Sequence, residues 1–431
     1  RDAGLAARSA VLRRFAALAR ERSEALAVLI AREVGKALWD ARAEAQLLAP
    51  KIDATLADGL RFVADFDAGA GARATFHPRG VLAVLGPFNF PAHLPNGHVV
   101  PALATGNTVV WKPSEHAPAV AEWVAALWRD AGLPAGVLEV VHGGAAVGRR
   151  VALHPDVDGV LFTGSWAAGR ALAEAALDQP GKLLALEMGG KNAMLVCADA
   201  DLELAVAEAA LSICATTGQR CSSLSRIFVE EPVLGAFAAR LARVLEGVAI
   251  GPPLEPGAFM GPLISDAAHA RLERHRAGAA RAGGERLVRG ACARPVPYAA
   301  PGLALFPDAS QSDPYHREEI FAPEAGVYPV VDLDHAIAAA NDCDYGLAAA
   351  VMTRERAKYE HAVGRVRTGI LNWNRGTIGA SGRLPFGGFG KSGNDRPAGI
   401  LSTVYCSVPQ SHLEHAGGFD PAALPPGMPK P

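Results

Sequence analysis

The chain has 431 residues, half of them hydrophobic and 20% charged, a globular composition that excludes a disordered chain and provides for two domains with sizeable cores. Lysine and arginine number 42 against 44 acids, so a formal net charge of −2 offers no field for nucleic acid or an anionic membrane. The six cysteines stand apart with no C-x-x-C pair, so neither a zinc site nor a disulfide framework is expected, and no metal is assigned. Apolar runs such as residues 80–87 are strand-length, and no basic-then-apolar segment opens the chain. The expectation is a cytoplasmic protein with a small-molecule partner and neither a nucleic-acid nor a membrane partner.

From Ala3 to about Phe66 the apolar spacing is helical: Val11, Leu12, Phe15 and Leu18 share one face, as do Leu26, Leu29, Ile30 and Val34. Residues 68–79 read as a loop and an extended crossing segment. Short, nearly continuous apolar runs then follow at 80–85, 108–111, 138–141, 159–163 and 183–186, separated by helical stretches at 119–131 and 167–177. Alternation of that kind predicts an α/β fold with a parallel, doubly wound sheet of Rossmann type. A second β/α series has strands at 193–196, 226–229, 325–331, 348–352 and 369–372, with helices at 202–214, 233–248, 267–282, 333–341 and 356–366. The cleft between the two series is expected near Glu187. Residues 403–409 read as a late strand able to pair with a partner chain, and 417–431 as a loose tail.

Five segments carry groups capable of chemistry. Gly86-Pro-Phe-Asn89 ends a strand with an amide that either donates to a developing oxyanion or satisfies a turn. Trp111-Lys112-Pro-Ser114-Glu115 ends another strand with a cation and an anion three residues apart. These are either phosphate and ribose contacts or a solvated charge pair. Phe162-Thr-Gly164-Ser165-Trp-Ala-Ala-Gly169 is a strand, a glycine turn and a helix start, suited to a phosphate. Glu187, at the carboxyl end of a buried strand, is either a desolvated general base or a capping or ion-paired acid. Cys221 sits in the turn Thr216-Thr-Gly-Gln-Arg220-Cys-Ser-Ser223, as a nucleophile or as a small buried side chain.

In this order and spacing, the five segments resemble the aldehyde dehydrogenase superfamily across nearly the whole chain. Glu319-Ile-Phe321-Ala-Pro323, Asn341 with Tyr345-Gly-Leu347, and Pro385-Phe-Gly-Gly-Phe-Gly-Lys-Ser-Gly393 complete the pattern. The resemblance implies that Cys221 attacks the aldehyde, that Asn89 and the Cys221 backbone N–H hold the oxyanion, and that Glu187 activates the water that hydrolyses the thioester. It further implies NAD contacts at Lys112, Ser114, Glu115, Gly164, Ser165, Gly169, Glu319 and Phe321. Glu115 favours NAD over NADP, because an added 2′-phosphate meets its negative charge. The implied organisation is an NAD-binding domain (1–59 and 79–186), a catalytic domain (187–395), an oligomerisation segment (60–78 and 402–416) and a tail (417–431), in a homodimer or homotetramer.

Within the superfamily, Gly86 to His98, Asn372-Trp-Asn374 and Ser392 to Pro397 with Tyr405-Cys406 resemble the N-succinylglutamate 5-semialdehyde dehydrogenases of arginine catabolism. The alternatives are the same mechanism on another aldehyde, or a catalytically silent nucleotide-binding protein. This chain departs from the pattern at Lys191, Ala322 and Arg375-Gly-Thr377-Ile, and starts further in than most relatives. A carboxylate-bearing substrate needs cations at its mouth, for which Arg220 and Arg375 are candidates. Arg220 equally suits a structural partnership with an acid, or a role in lowering the thiol pKa.

Overall fold

The computed structural model describes residues 4–290, 292–308, 313–394, 396–415 and 417–431. Residue 3, where the helical pattern opens, and residue 395, which closes the expected catalytic domain, lie outside the described residues.

Four helices open the chain, at Leu5–Glu21, Ser23–Val34, Leu38–Gln46 and Leu48–Ala57. Their apolar stripes cover the first sheet, as the helical spacing predicts: Leu12, Phe15, Leu26 and Ile30 are fully buried, and Phe15 stacks on Trp128 at 3.7 Å between ring centroids. That sheet is built from β1 (Val81–Leu85), β2 (Thr108–Lys112), β3 (Leu138–Val140), β4 (Gly159–Thr163) and β5 (Leu183–Glu187). The strands are all parallel in the order β3-β2-β1-β4-β5. Helices cover a parallel sheet on both faces, so its strands need continuous rather than alternating apolar residues, and β4 is buried at every position.

The second sheet takes up the chain at once. Its strands are β6 (Asn192–Val196), β7 (Leu224–Glu230), β8 (Glu285–Arg289), β9 (Gly302–Leu305), β10 (Glu324–Val330), β11 (Ala348–Met352) and β12 (Ile370–Trp373). They run in the order β8-β9-β10-β7-β6-β11-β12, with only β8 antiparallel to its neighbour. Sequence periodicity gave no sign of β8 or β9, the edge pair, which are short and lack a run of buried branched residues.

Two expectations need correction. Residues 68–79 are not a loop and one crossing segment but two paired strands, Phe66–Gly69 and Ala72–Pro78, turning through glycines 69 and 71. The late strand spans Ser407–Leu413 rather than 403–409, because Ser402–Tyr405 form a helical turn that anchors it. Ser407–Leu413 pairs antiparallel with Ala72–Pro78 along its whole length and forms the outer strand of a three-stranded sheet. The helix His93–Ala104 was also not foreseen, since Pro95 and Pro101 speak against a helix in sequence. No helix among the described residues is long and apolar enough to cross a membrane.

Candidate active site

Strand order in the first sheet reverses between β1 and β4, so the chain leaves these neighbours in opposite directions and opens a crevice at their carboxyl ends. A cleft of about 1070 Å³ occupies that crevice. From the first sheet it is lined by residues that follow β1 (Asn89), β2 (Ser114, Glu115) and β4 (Gly164, Ser165), and by Lys112 and Glu187, the last residues of β2 and β5. From the second sheet it is lined by residues that precede strands: Cys221 before β7, Glu319 and Phe321 before β10, Tyr345 before β11. The carboxyl edge of one sheet thus meets the amino edge of the other.

Ser165 caps the helix Trp166–Ala175, its hydroxyl accepting from the Ala168 N–H at 3.3 Å. That first turn, Ser165 to Ala168, lines the cleft, and a helix start there is suited to a phosphate. Lys112 is buried and donates to the Glu115 carboxylate at 3.1 Å. Glu115 is held below its ordinary carboxyl pKa first by a backbone hydrogen bond and then by Lys112. Gly169, expected among the cofactor contacts, is absent from the cleft lining. It is a packing glycine: a Cβ there would stand 2.3 Å from Met188 Sδ, so glycine lets the helix close on the chain just beyond β5.

Glu187 is 2% exposed, and its Oε1 has no hydrogen-bond partner. Burial therefore pushes its carboxyl up to about 7, opposed by hydrogen bonds from the Cys221 thiol and the Gly189 N–H. Among the described residues no cation pairs with Glu187, so the ion-paired alternative is not met. Glu319, across the cleft, accepts from the Gly190 N–H at 2.9 Å and is likewise raised by burial, to about 8. Phe321 adopts φ 56° and meets Phe88 edge to face, at 6.0 Å between ring centroids.

Cys221 sits in a turn fixed from both sides. Asn192 Nδ2 donates to the carbonyls of Cys221 and Ser223, each at 2.8 Å, and Thr377 Oγ1 donates to the Ser222 carbonyl at 2.7 Å. Just upstream, Thr216 and Thr217 have positive φ (53° and 54°), a strained backbone for β-branched residues. Hydrogen bonds hold them there: Thr216 Oγ1 to Asp40 and Thr217 Oγ1 to the Gly261 carbonyl at 3.1 Å. Gly218 (φ +66°) completes the turn, where a Cβ would overlap the Ala322 carbonyl carbon at 2.2 Å. The thiol is raised well above its ordinary value by burial and by the Glu187 and Glu319 charges. Arg220 does not lower it, contrary to one of the roles entertained for that residue, because its guanidinium is turned to Asp40 at 2.6 Å.

Asn89 is buried, with one amide N–H donated to the Gln219 carbonyl at 2.8 Å, two residues before Cys221. The amide has a second N–H, which is able to donate to a further acceptor. Arg375 is exposed on the loop after β12, and neither it nor Arg220 lines the cleft. Sequence reasoning assigned no role to Asn192 or Thr377, whose hydrogen bonds fix the nucleophile turn, nor to His116, Arg149, Trp166 and Arg271, which line the cleft. Asn192 opens an otherwise apolar buried strand, and that contrast is the one signal that marks it.

A model of the aldehyde dehydrogenase family matches residues 1–408 of this chain. The chain is 42% identical over 444 residues to an N-succinylglutamate 5-semialdehyde dehydrogenase of Burkholderia thailandensis, covering 98% of this chain and 88% of that protein. It is 41% identical over 426 residues to the protein of the same name in Burkholderia multivorans, covering 98% and 87%. Among solved structures it is similar to an NAD-dependent aldehyde dehydrogenase from Sinorhizobium meliloti, with TM-score 0.90, 31% identity, and 97% and 84% of the two chains covered. It is also similar to a glyceraldehyde-3-phosphate dehydrogenase from Methanocaldococcus jannaschii complexed with NADP, with TM-score 0.89, 27% identity, and 95% and 90% covered.

Proposed function

The chain belongs to the aldehyde dehydrogenase family, and we propose that it oxidises N-succinylglutamate 5-semialdehyde to N-succinylglutamate with NAD. The observation that carries the catalytic part is the meeting, in one cleft, of Cys221, the Glu187 carboxyl raised to about 7 and the Asn89 amide. The substrate assignment draws on the relatives named for that activity at 42% identity.

In this reading the Cys221 thiol loses its proton as the sulfur attacks the aldehyde carbon, and Glu187, its hydrogen-bond partner, is placed to take it. Asn89 steadies the thiohemiacetal oxygen. A bound nicotinamide dinucleotide supplies the hydride acceptor. Glu187 gives up the thiol proton to solvent and, once hydride loss has left a thioester, withdraws a proton from water. The hydroxide attacks the thioester carbon, the carbon–sulfur bond breaks, and the departing thiolate regains a proton from Glu187 as the carboxylate leaves. A base with a pKa near 7 suits both transfers, since it is neither fully protonated nor too weak at neutral pH.

The cleft fits a dinucleotide. The capped helix start at Ser165 offers N–H groups to a pyrophosphate, Lys112 and Glu115 lie at the end of β2, and Glu319 with Phe321 flank the opposite end. Glu115 favours NAD, although its pairing with Lys112 at 3.1 Å and the presence of Arg149 in the same lining temper the discrimination. The proposed domain division follows the sheets, with the first sheet and its covering helices as the cofactor domain and the second as the catalytic domain. Residues 60–78 and 402–416 form the proposed contact through which the chain assembles as a homodimer or homotetramer. Exposed Val408 and Leu413 on an outer strand support this role.

The test is reduction of NAD by N-succinylglutamate semialdehyde compared with succinate and glutamate semialdehydes and an uncharged aliphatic aldehyde. The succinylated substrate is expected to have the highest kcat/KM. A preference for the uncharged aldehyde would refute the substrate assignment and leave the chemistry intact.

A further inference from the structure

The short helix Leu38–Gln46 carries two acids four residues apart, Asp40 and Glu44, on a face that is wholly buried although neither lines the cleft. Each reaches a different catalytic loop. Asp40 Oδ2 accepts from Thr216 Oγ1 at 2.5 Å and Oδ1 pairs with the Arg220 guanidinium at 2.6 Å, while Arg220 Nε donates back to Thr216 Oγ1 at 2.8 Å. That triangle grips the strained turn on which Cys221 stands. Glu44 Oε1 accepts the backbone N–H groups of Ala92 and His93, at 2.9 and 3.1 Å, and Oε2 pairs with Lys36 at 2.5 Å. That set grips the loop bearing Asn89, at the point where it enters the helix His93–Ala104.

The two grips meet on one ring. Lys36 Nζ lies 3.7 Å from the centroid of Phe90, and the Arg220 guanidinium carbon lies 5.0 Å from it. Phe90 directly follows Asn89, and Arg220 directly precedes Cys221. Two buried acid–base pairs on a single helical turn therefore fix the oxyanion loop and the nucleophile turn against a shared aromatic side chain.

We propose that Asp40 and Glu44 are positioning residues that hold Asn89 and Cys221 in register for oxyanion stabilisation, acting through Arg220 and Thr216 on one side and through the Ala92–His93 backbone on the other. This rests on the reading of Cys221 as nucleophile and Asn89 as oxyanion donor. On this assignment Arg220 is part of the clamp and not a substrate ligand. Removing one member of a buried pair leaves an uncompensated charge, so the informative variants remove both charges of a pair or keep the acceptor.

The experiment compares full-length protein with Lys36→Met/Glu44→Gln, which retains an acceptor for the two N–H groups, and with Thr216→Val, which leaves the Asp40–Arg220 pair in place. Two rates are read: steady-state aldehyde oxidation, and stoichiometric alkylation of Cys221 by iodoacetamide, which needs the thiol but no oxyanion donor. The expected result for the double variant is a kcat lower by at least tenfold, a KM within threefold, and alkylation within twofold of the unaltered protein. Thr216→Val is expected to change both rates, since it loosens the nucleophile turn itself. Unchanged kcat in both variants overturns the clamp, as does a parallel fall of kcat and alkylation in the double variant, which marks general loss of structure. If alkylation of the unaltered protein leaves its oxidation rate intact, the underlying reading of Cys221 fails instead.

Discussion

The Cys221 thiol donates to the Glu187 carboxyl in the cleft, and the contact holds the proton on sulfur while it partly offsets the rise that burial gives the carboxyl. Glu187 moves from its ordinary 4.5 to about 7. The ionised base therefore accumulates as pH rises through about 7, and kcat is expected to climb over that window when measured by NADH formation in constant ionic strength. The same shift has the opposite sign for stability. A carboxyl with a raised folded-state pKa stabilises the fold fully below its ordinary value, and that contribution is lost as pH rises through the folded value. Thermal unfolding is expected to shift to lower temperature between about 4.5 and 7, with Glu319 extending the decline toward about 8. Glu187→Gln should flatten the first part of that slope; an identical pH profile in the variant would count against the shift.

Replacing the base separates the two halves of the reaction. Glu187→Gln is expected to lower steady-state turnover by roughly 10²–10⁴-fold. If an alternative acceptor takes the thiol proton, an early burst of NADH near one per active site should persist, visible in rapid mixing. Cys221→Ala is expected to show neither burst nor turnover, and full turnover by that variant would end the nucleophile assignment.

Asn89→Ala removes both the proposed donor to the substrate oxygen and the hydrogen bond to the Gln219 carbonyl. The kcat is expected to fall by about 10²–10³-fold with a smaller change in KM. Leaving a buried carbonyl unpaired also costs about 1–3 kcal/mol, so denaturant titration should show a matching loss of stability.

Glu115→Gln removes the negative charge beside the Lys112 ammonium without changing the shape of the side chain. The ratio of kcat/KM for NADP over that for NAD is expected to rise by about tenfold, equivalent to about 1.4 kcal/mol. An unchanged ratio would assign cofactor choice elsewhere in the cleft, with Arg149 the next residue to vary.

The two arginines first considered for a substrate carboxylate are expected to behave differently. Arg220 is paired with Asp40, whereas Arg375 is exposed and has no ion-pair partner among the described residues. Arg375 stands outside the cleft lining, so a direct role requires its loop to reach the substrate. In that case Arg375→Ala raises KM for an anionic semialdehyde by about tenfold, the scale of one charge-assisted contact, and leaves an uncharged aldehyde unaffected. Equal KM changes for both substrates would remove Arg375 from carboxylate recognition.

Much of this was legible in the sequence because its causes are local. Continuous apolar runs mark strands buried on both faces, as at β4 and β11, and a polar residue ending such a run marks the carboxyl edge of a sheet, as at Lys112 and Glu187. Edge strands such as β8 lack that signature, and the prolines of His93–Ala104 masked a helix that tertiary packing sustains. The sequence by itself determined which side chains have the chemistry: a thiol, an acid and an amide, each beside a strand end or a glycine turn. Only the tertiary structure decided their states and their company. The partners of Arg220 and Gly169 come from elsewhere in the fold: Asp40 is 180 residues from Arg220, and Met188 lies beyond a different strand. Burial of Glu187, which tunes it to about 7, is likewise a property of two sheets meeting. Contacts between distant segments leave no periodic trace in the chain, so a residue's type announces what it can do, while its environment selects which of those things it does.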